Sequence, residues 1–188
     1  MGVIKAAALL VDLDGTLVDT AEANYHAYAA ALEEVGVQVG RSEFDQVAQG
    51  RNWRQFLPSM LANVTAPPEK VAARKAELYP GCLRFTVLNQ GVARLVALSR
   101  PAWATALVTT ASRPNVDAIL EYHDLAGLFD VIVTGSDVVR HKPDPEAYCL
   151  AAGWLGVAPQ SCVVIEDSDI GVASARAFGA AIIRVQPA

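Results

Sequence analysis

Residues 6–16 read AAALLVDLDGT, an apolar run that ends in two aspartates, a glycine and a threonine. The run Ala6–Val11 has the length and composition of a buried β-strand. Ligands of an open α/β sheet collect at the carboxyl ends of its strands, so we expect Asp12 and Asp14 to face a pocket. Gly15 permits a sharp turn away from the sheet. Taken alone, the motif also fits a capped turn or a calcium-binding loop, although Leu17 does not suit an EF-hand.

Similar apolar runs recur along the rest of the chain. They are Ala104–Val108, Val131–Val133, Cys162–Ile165 and Ala180–Val185. Helix-length segments fill most of the gaps between them, and this alternation predicts an α/β fold with a Rossmann-like parallel sheet covered by helices. Two of the runs, Ala104–Val108 and Val163–Ile165, show no polar alternation. Strands covered on both faces have this pattern, so we expect these two to be central.

The interval between the first two strands is too long for a single crossover. It contains segments with helical spacing of apolar residues at Thr20–Val35, Ser42–Ala48, Trp53–Leu61 and Pro68–Tyr79. We therefore predict a helical cap domain at residues 20–84, inserted after the first strand of a core domain formed by residues 1–19 and 85–188. Residues 41–84 include seven basic and four acidic residues. This excess of positive charge fits a lid that attracts an anionic substrate, or an ordinary solvated surface.

Composition and charge exclude several classes of partner. The 188 residues carry a formal net charge of −5, which gives no reason to expect binding to nucleic acid or to an anionic membrane surface. The longest apolar run is far shorter than the roughly 18 residues of a membrane-spanning helix. Met1–Lys5 does not resemble a basic leader before a long apolar stretch. We therefore expect a cytoplasmic protein, and the sequence allows either a monomer or a homodimer.

Three later stretches carry polar residues at predicted strand ends or in loops. Thr109–Ser112 precedes a helix whose free N–H groups suit a phosphate, although a simple helix cap also fits. His141–Pro145 is a proline-rigidified loop that carries Lys142, which alone is a weak signal. Glu166–Asp169 contains three acids in four positions, and a Mg²⁺ site shared with Asp12 accounts for them better than helix capping does. Together with the first motif, these stretches supply the carboxylates, the hydroxyl and the lysine that phosphoryl transfer requires.

With these four motifs in this order, the chain resembles the haloacid dehalogenase superfamily. The resemblance is to the branch with a helical cap after the first strand, which includes phosphoglycolate phosphatases and β-phosphoglucomutases. It implies that Asp12 attacks phosphorus and forms an aspartyl-phosphate, while Asp14 protonates the leaving alcohol and later takes a proton from water. It also implies that Thr110, Ala111 and Lys142 bind the phosphoryl group. Thr109 is the alternative to Thr110, one position earlier.

The same resemblance implies a Mg²⁺ cofactor and a set of ligands for it. Asp167 binds the ion directly, and Glu166 binds it directly or through water. The Asp12 side chain and the Asp14 backbone carbonyl complete the set. Mg²⁺ and Lys142 would neutralise the repulsion between a carboxylate and a phosphate dianion.

Individual residues distinguish among the activities known within this superfamily. Asp14 argues against a dehalogenase, because those relatives lack the second aspartate. The mutase relatives have a histidine in the first cap helix where this chain has Asn24. The resemblance therefore predicts a hydrolase, a Mg²⁺-dependent phosphatase for a small phosphorylated metabolite; a phosphosugar mutase and a non-catalytic binding module are the alternatives. Arg51, Arg54 and Lys75 of the cap are predicted to contact the substrate.

Overall fold

The computed structural model describes residues 6–48, 51 and 53–186. The chain divides into two compact units. Met1–Asp19 together with Val87–Ala188 form one of them, here called the sheet unit, and Thr20–Thr86 form the other, here called the helical unit. The predicted cap ends at residue 84, two residues earlier. Leu83–Phe85 form a short 3₁₀ turn, and the Phe85 ring stacks on His26 at 3.9 Å between ring centroids, within the helical unit.

The sheet unit is built on parallel strands. Numbered along the chain, the strands are β1 (Ala8–Val11), β2 (Val18–Asp19), β3 (Val87–Leu88), β4 (Ala104–Val108), β5 (Val131–Val133), β6 (Cys162–Glu166) and β7 (Ala181–Arg184). Five of them form one parallel sheet in the order β5-β4-β1-β6-β7. The predicted α/β class and the interior positions of β4 and β6 are confirmed. In register, Val11 pairs with Leu107 and with Ile165, so the carboxyl ends of β1, β4 and β6 lie side by side.

Strands β2 and β3 form a separate antiparallel pair, with Val18 opposite Leu88 and Asp19 opposite Val87. The helical unit begins directly after β2 and ends directly before β3. This pair was not predicted from the sequence. Each of its strands is two residues long, which is too short for any alternation of apolar and polar residues to be recognised.

The helices fall in the predicted gaps. Numbered along the chain, they are α1 (Ala21–Glu33), α2 (Arg41–Ala48), α3 (Trp53–Met60), α4 (Pro68–Cys82), α5 (Gln90–Ser99), α6 (Arg113–Tyr122), α7 (Glu146–Leu155) and α8 (Asp169–Phe178), with a further 3₁₀ turn at Pro159–Ser161. The four helices predicted for the insert are present as α1 to α4. In the described part of the chain, no helix has the length and apolar character needed to cross a membrane.

Each unit has its own apolar core. In the sheet unit, Leu10, Val108 and Val164 of the strands are buried together with Tyr148 of α7 and Phe178 of α8. Continuous apolar strands stay buried on both faces in this architecture, which explains why they lack alternation. The helical unit has a separate cluster of buried side chains. Its fully or almost fully buried members are Ala31, Leu32, Phe44, Phe56, Leu57, Leu61 and Val71.

Candidate active site

The first acidic motif lies where β1 ends. The Asp12 N–H donates to the Ile165 carbonyl at 3.1 Å, which extends the pairing of β1 with β6 by one residue. The chain then turns sharply at Gly15, whose φ of +85° lies in the left-handed region. A Cβ at this position would also lie 2.4 Å from Asp167 Oδ2. Glycine is therefore required both for the turn and for the close approach of the second acidic motif.

The Lys142 ammonium joins the two acidic motifs. Its Nζ donates to Asp12 Oδ1 at 2.6 Å, to Glu166 Oε1 at 2.7 Å and to the Val108 carbonyl at 3.1 Å. An ammonium has three protons, so all of its donors are used. The Lys142 side chain is only 4% exposed. Burial is the largest single effect and acts to lower the pKa of Lys142. The charges of Asp12, Tyr148 and Glu166 and the hydrogen bond to Asp12 together outweigh burial, so the pKa is raised.

Glu166 is held by hydrogen bonds to both carboxylate oxygens. While Oε1 accepts from Lys142, Oε2 accepts from the backbone N–H groups of Asp167 and Ser168 and from the Ser168 hydroxyl, at 2.9–3.0 Å. The Tyr148 hydroxyl lies 3.4 Å from Oε1. Gly171 makes room for this carboxylate, because a Cβ there would lie 1.6 Å from Oε1. The local sequence therefore fixes a buried acid at the end of β6.

Asp167 and Ser168 form the transition from β6 to α8. Asp167 Oδ1 accepts from the Thr16 hydroxyl at 2.8 Å, which links this acid to the turn after β1. The Ser168 hydroxyl accepts from the Gly171 N–H at 3.1 Å and so caps the start of α8.

Three carboxylates of this site fit a divalent cation. One oxygen from each of Asp12, Glu166 and Asp167 lies within 4.8 Å of the others. Oxygen atoms are the ligands that Mg²⁺ prefers in proteins. Asp12 and Glu166 share the Lys142 ammonium, and burial raises the pKa of Asp12 to about 8 and that of Asp167 above its usual range. A divalent cation would supply the positive charge that this buried cluster needs.

The two threonines after β4 differ in their surroundings. The Thr109 side chain is buried, and its Oγ1 donates to Asp14 Oδ2 at 3.3 Å and accepts from the Ala111 N–H at 3.0 Å. Thr110 is exposed. The structure therefore brings Thr109 to Asp14 and leaves the Thr110 side chain accessible, and the predicted phosphate contacts of Thr110 and Ala111 stay predictions.

The predicted substrate contacts of the helical unit have different degrees of exposure. Arg51 and Arg54 are exposed, and the Arg54 guanidinium lies 4.3 Å from the centre of the Trp53 ring. Lys75 is 6% exposed, and its ammonium lies 3.9 Å from the centre of the Tyr79 ring. Contact of these basic residues with a substrate stays a prediction.

Several residues of the site were not singled out as functional from the sequence. Gly171 and Tyr148 occupy helix positions that look like ordinary packing residues. Thr16 follows the first acidic motif directly, and this adjacency was the available signal for its contact with Asp167. Thr109 was named as the alternative to Thr110, but its contact with Asp14 was not predicted, because that contact depends on the direction of one side chain at a strand end. No sequence pattern specifies that direction.

Comparison with known proteins places these features in a family. A family model described as haloacid dehalogenase-like hydrolase matches residues 9–185. The chain belongs to this family, and the predicted resemblance is confirmed. The solved structure of CbbY from Rhodobacter sphaeroides in complex with phosphate is similar, with a TM-score of 0.84 and 28% identity over 97% of this chain and 87% of that chain.

Curated relatives give the enzyme class. Hexitol phosphatase A of Escherichia coli is 34% identical over 189 residues, which cover 97% of this chain and 84% of the relative. Fructose-1-phosphate phosphatase YqaB of Escherichia coli is 29% identical over 176 residues, which cover 93% of this chain and 94% of the relative. The predicted class, a hydrolase of phosphoric monoesters, is confirmed by these relatives.

Proposed function

We propose that this chain hydrolyses a small phosphorylated carbohydrate, with Mg²⁺ as cofactor and Asp12 as nucleophile. The observation that carries the proposal is the contact between the Asp12 carboxylate and the buried Lys142 ammonium at 2.6 Å. Asp14 lies two residues further along the same turn, and Glu166 and Asp167 lie beside Asp12. A nucleophile, an acid and a cluster of metal-ligating acids are the parts that phosphoryl transfer by a carboxylate needs.

The reaction proceeds in two displacements at phosphorus. In the first, an oxygen of Asp12 forms a bond to phosphorus as the ester P–O bond breaks, and Asp14 gives a proton to the leaving alcohol. In the second, water attacks the aspartyl-phosphate and Asp14 takes a proton from that water. The Asp12–phosphorus bond breaks and inorganic phosphate leaves. Both residues return to their starting protonation states, so atoms and charges balance.

Lys142 orients the nucleophile and offsets charge. It holds one oxygen of Asp12 in a buried site, where an electrostatic interaction is stronger than in water. Mg²⁺ bound by Asp12, Glu166, Asp167 and the Asp14 carbonyl would supply further positive charge to the phosphoryl oxygens. The exposed Thr110 hydroxyl is the proposed donor to the phosphoryl group on the side of β4. The Ala111 N–H donates to Thr109 Oγ1 at 3.0 Å, so a phosphoryl oxygen at Ala111 would have to share that proton.

The carbohydrate part of the proposal rests on the relatives. Two of them are named as phosphatases of a hexitol phosphate and of fructose 1-phosphate. Residues Arg51, Arg54 and Lys75 are the proposed contacts for the part of the substrate beyond phosphate. With a net charge of −5, nucleic acid is a poor partner. We place the protein in the cytoplasm, as a monomer or a homodimer.

Release of inorganic phosphate tests the proposal. The panel contains hexose phosphates, hexitol phosphates, phosphoglycolate and nucleoside monophosphates, each with Mg²⁺ and with a chelator. Wild type is compared with Asp12→Asn. The matched control is Asp169→Asn, which removes an acid whose side chain is 88% exposed and which pairs with Arg184.

We expect wild type and Asp169→Asn to release phosphate only when Mg²⁺ is present. Asp12→Asn should lose turnover by at least about 10³-fold, because the amide cannot form the acyl-phosphate. Carbohydrate phosphates should have the highest kcat/KM. Turnover by Asp12→Asn at the wild-type rate would refute Asp12 as the nucleophile. A preference for nucleotides would refute the carbohydrate assignment while leaving the phosphatase intact.

A further inference from the structure

Thr109 forms a rigid connection between the end of β4 and Asp14. Its N–H donates to the Val133 carbonyl at 3.0 Å, so the backbone at this position is held by the neighbouring strand β5. The side chain is β-branched and 1% exposed, which restricts its rotation. Its Oγ1 lies 3.3 Å from Asp14 Oδ2 and 3.0 Å from the Ala111 nitrogen.

The hydrogen-bond partners set the direction of the Thr109 hydroxyl. The Ala111 N–H can only donate, so Oγ1 accepts from it. A hydroxyl has one proton, and the Thr109 hydroxyl donates it to Asp14 Oδ2 at 3.3 Å. Asp14 itself lies on a turn and is only half-buried. A donor anchored in the sheet therefore limits the positions that the Asp14 carboxylate can take.

We propose that Thr109 is a positioning residue that holds Asp14 in line for its two proton transfers. The proposal rests on the proposed function, in which Asp14 is the acid and then the base. General acid catalysis requires the acid to stay within hydrogen-bond reach of the atom that it protonates. Errors of about 1 Å in such a position cost on the order of 10²-fold in rate. Thr110, which is exposed, does not share this role.

Two substrates with different leaving groups distinguish a loss of Asp14 positioning from damage to phosphate binding or to Asp12. A sugar phosphate releases a poorly stabilised alkoxide, so its first displacement depends on a proton from Asp14. p-Nitrophenyl phosphate releases a stable phenolate that needs no proton. Both esters carry the same phosphoryl group, so damage to phosphate binding or to Asp12 affects both alike. The ratio of kcat/KM for the two esters, which reports steps up to the first displacement, therefore isolates the acid.

The experiment compares Thr109→Val with wild type, Thr109→Ser and Thr105→Val. Valine is close in shape to threonine but lacks the hydroxyl, while serine keeps it. Thr105 is the matched control: it lies on β4, the strand that precedes Thr109, is fully buried and donates to the Leu128 carbonyl at 3.1 Å. Thr109→Ala replaces Thr109→Val if the valine variant does not fold. Melting temperature and the affinity for inorganic phosphate are measured for each protein.

We expect Thr109→Val to lower the ratio of sugar phosphate to p-nitrophenyl phosphate kcat/KM by about tenfold, with Thr109→Ser close to wild type. Thr105→Val should lower the melting temperature and leave the ratio unchanged. Equal losses on both esters in Thr109→Val, or an unchanged ratio, would show a structural role and overturn the proposal. In either case a wild type that still needs Mg²⁺ and Asp12 would leave the proposed function standing.

Discussion

Replacing Gly171 by alanine tests the packing around the buried acid of the site. Gly171 lies in the first turn of α8, and the Glu166 carboxylate occupies the space where a side chain would begin. A Cβ there would lie 1.6 Å from Oε1 and 1.9 Å from Cδ of Glu166. Atoms that are not bonded stay roughly 3.5 Å apart. The carboxylate would therefore have to move by about 2 Å.

This movement breaks contacts that hold a buried charge. Oε1 would lose Lys142 Nζ at 2.7 Å, and Oε2 would lose its donors from Asp167 and Ser168. Breaking a buried ion pair costs about 3–5 kcal/mol. Alanine is a better helix former than glycine by roughly 1 kcal/mol, which offsets part of that cost. We expect Gly171→Ala to lower the free energy of unfolding by about 2–4 kcal/mol.

The assay has a matched control in α7. Gly153 is also helical, and a Cβ there would meet no atom within 4 Å. Gly153→Ala should therefore raise stability by up to about 1 kcal/mol and keep full activity. Urea unfolding in chelator measures the stability of both variants and wild type. Phosphate release with Mg²⁺ measures activity, which Gly171→Ala should lose by at least about 100-fold.

Unfolding of Gly171→Ala at the same urea concentration as wild type, with phosphate release at the same rate, would contradict this prediction. That result would mean that the Glu166 carboxylate moves away at no cost and is not needed in its present position. A loss of stability and activity in Gly153→Ala equal to that in Gly171→Ala would point to glycine replacement in general and would equally contradict it.

Two further predictions concern charge. Lys142→Met removes the ammonium shared by Asp12 and Glu166, so phosphate release should fall by at least about 100-fold. Mg²⁺ should also raise the melting temperature of this variant more than it raises that of wild type. Lys70→Met, on the exposed side of α4, is the control, and an equal effect of Mg²⁺ in both variants would contradict the prediction. Burial lowers the pKa of His123 below its usual 6.5, so as pH falls the unfolded chain binds the proton first, and the free energy of unfolding should fall below about pH 6.5. Urea unfolding at pH 7 and pH 5.5 should show a smaller fall in the free energy of unfolding for His123→Gln than for wild type. An equal fall in both proteins would exclude this histidine as a source of the pH dependence.

Much of the site was predictable because its residues follow strands that the sequence marks clearly. Asp12 comes directly after an apolar run, and Glu166 ends another, so both were placed at one edge of the sheet before any distance was known. Parallel strands bring their carboxyl ends together, which is a general property of the fold. The family resemblance then implied roles for these acids and for Lys142.

Other parts depended on packing between distant residues. Thr109 and Thr110 are adjacent threonines with no difference in local sequence signal, yet only Thr109 donates to Asp14, 95 positions away. Gly171 looked like a small residue in a helix. Glycine is needed at this position because the Glu166 carboxylate occupies the space that a Cβ would take.

The sequence by itself determined the alternation of the five main-sheet strands with helices, the helical segments between the first two of those strands and the acids at the strand ends, because apolar periodicity and motif spacing are local properties of a chain. Only the tertiary structure decided that Lys142 divides its three protons among Asp12, Glu166 and Val108. It also decided that Thr109 turns toward Asp14. These contacts depend on distances of about 3 Å between residues far apart in the chain. Such distances arise only when the strands and helices pack together in the folded protein.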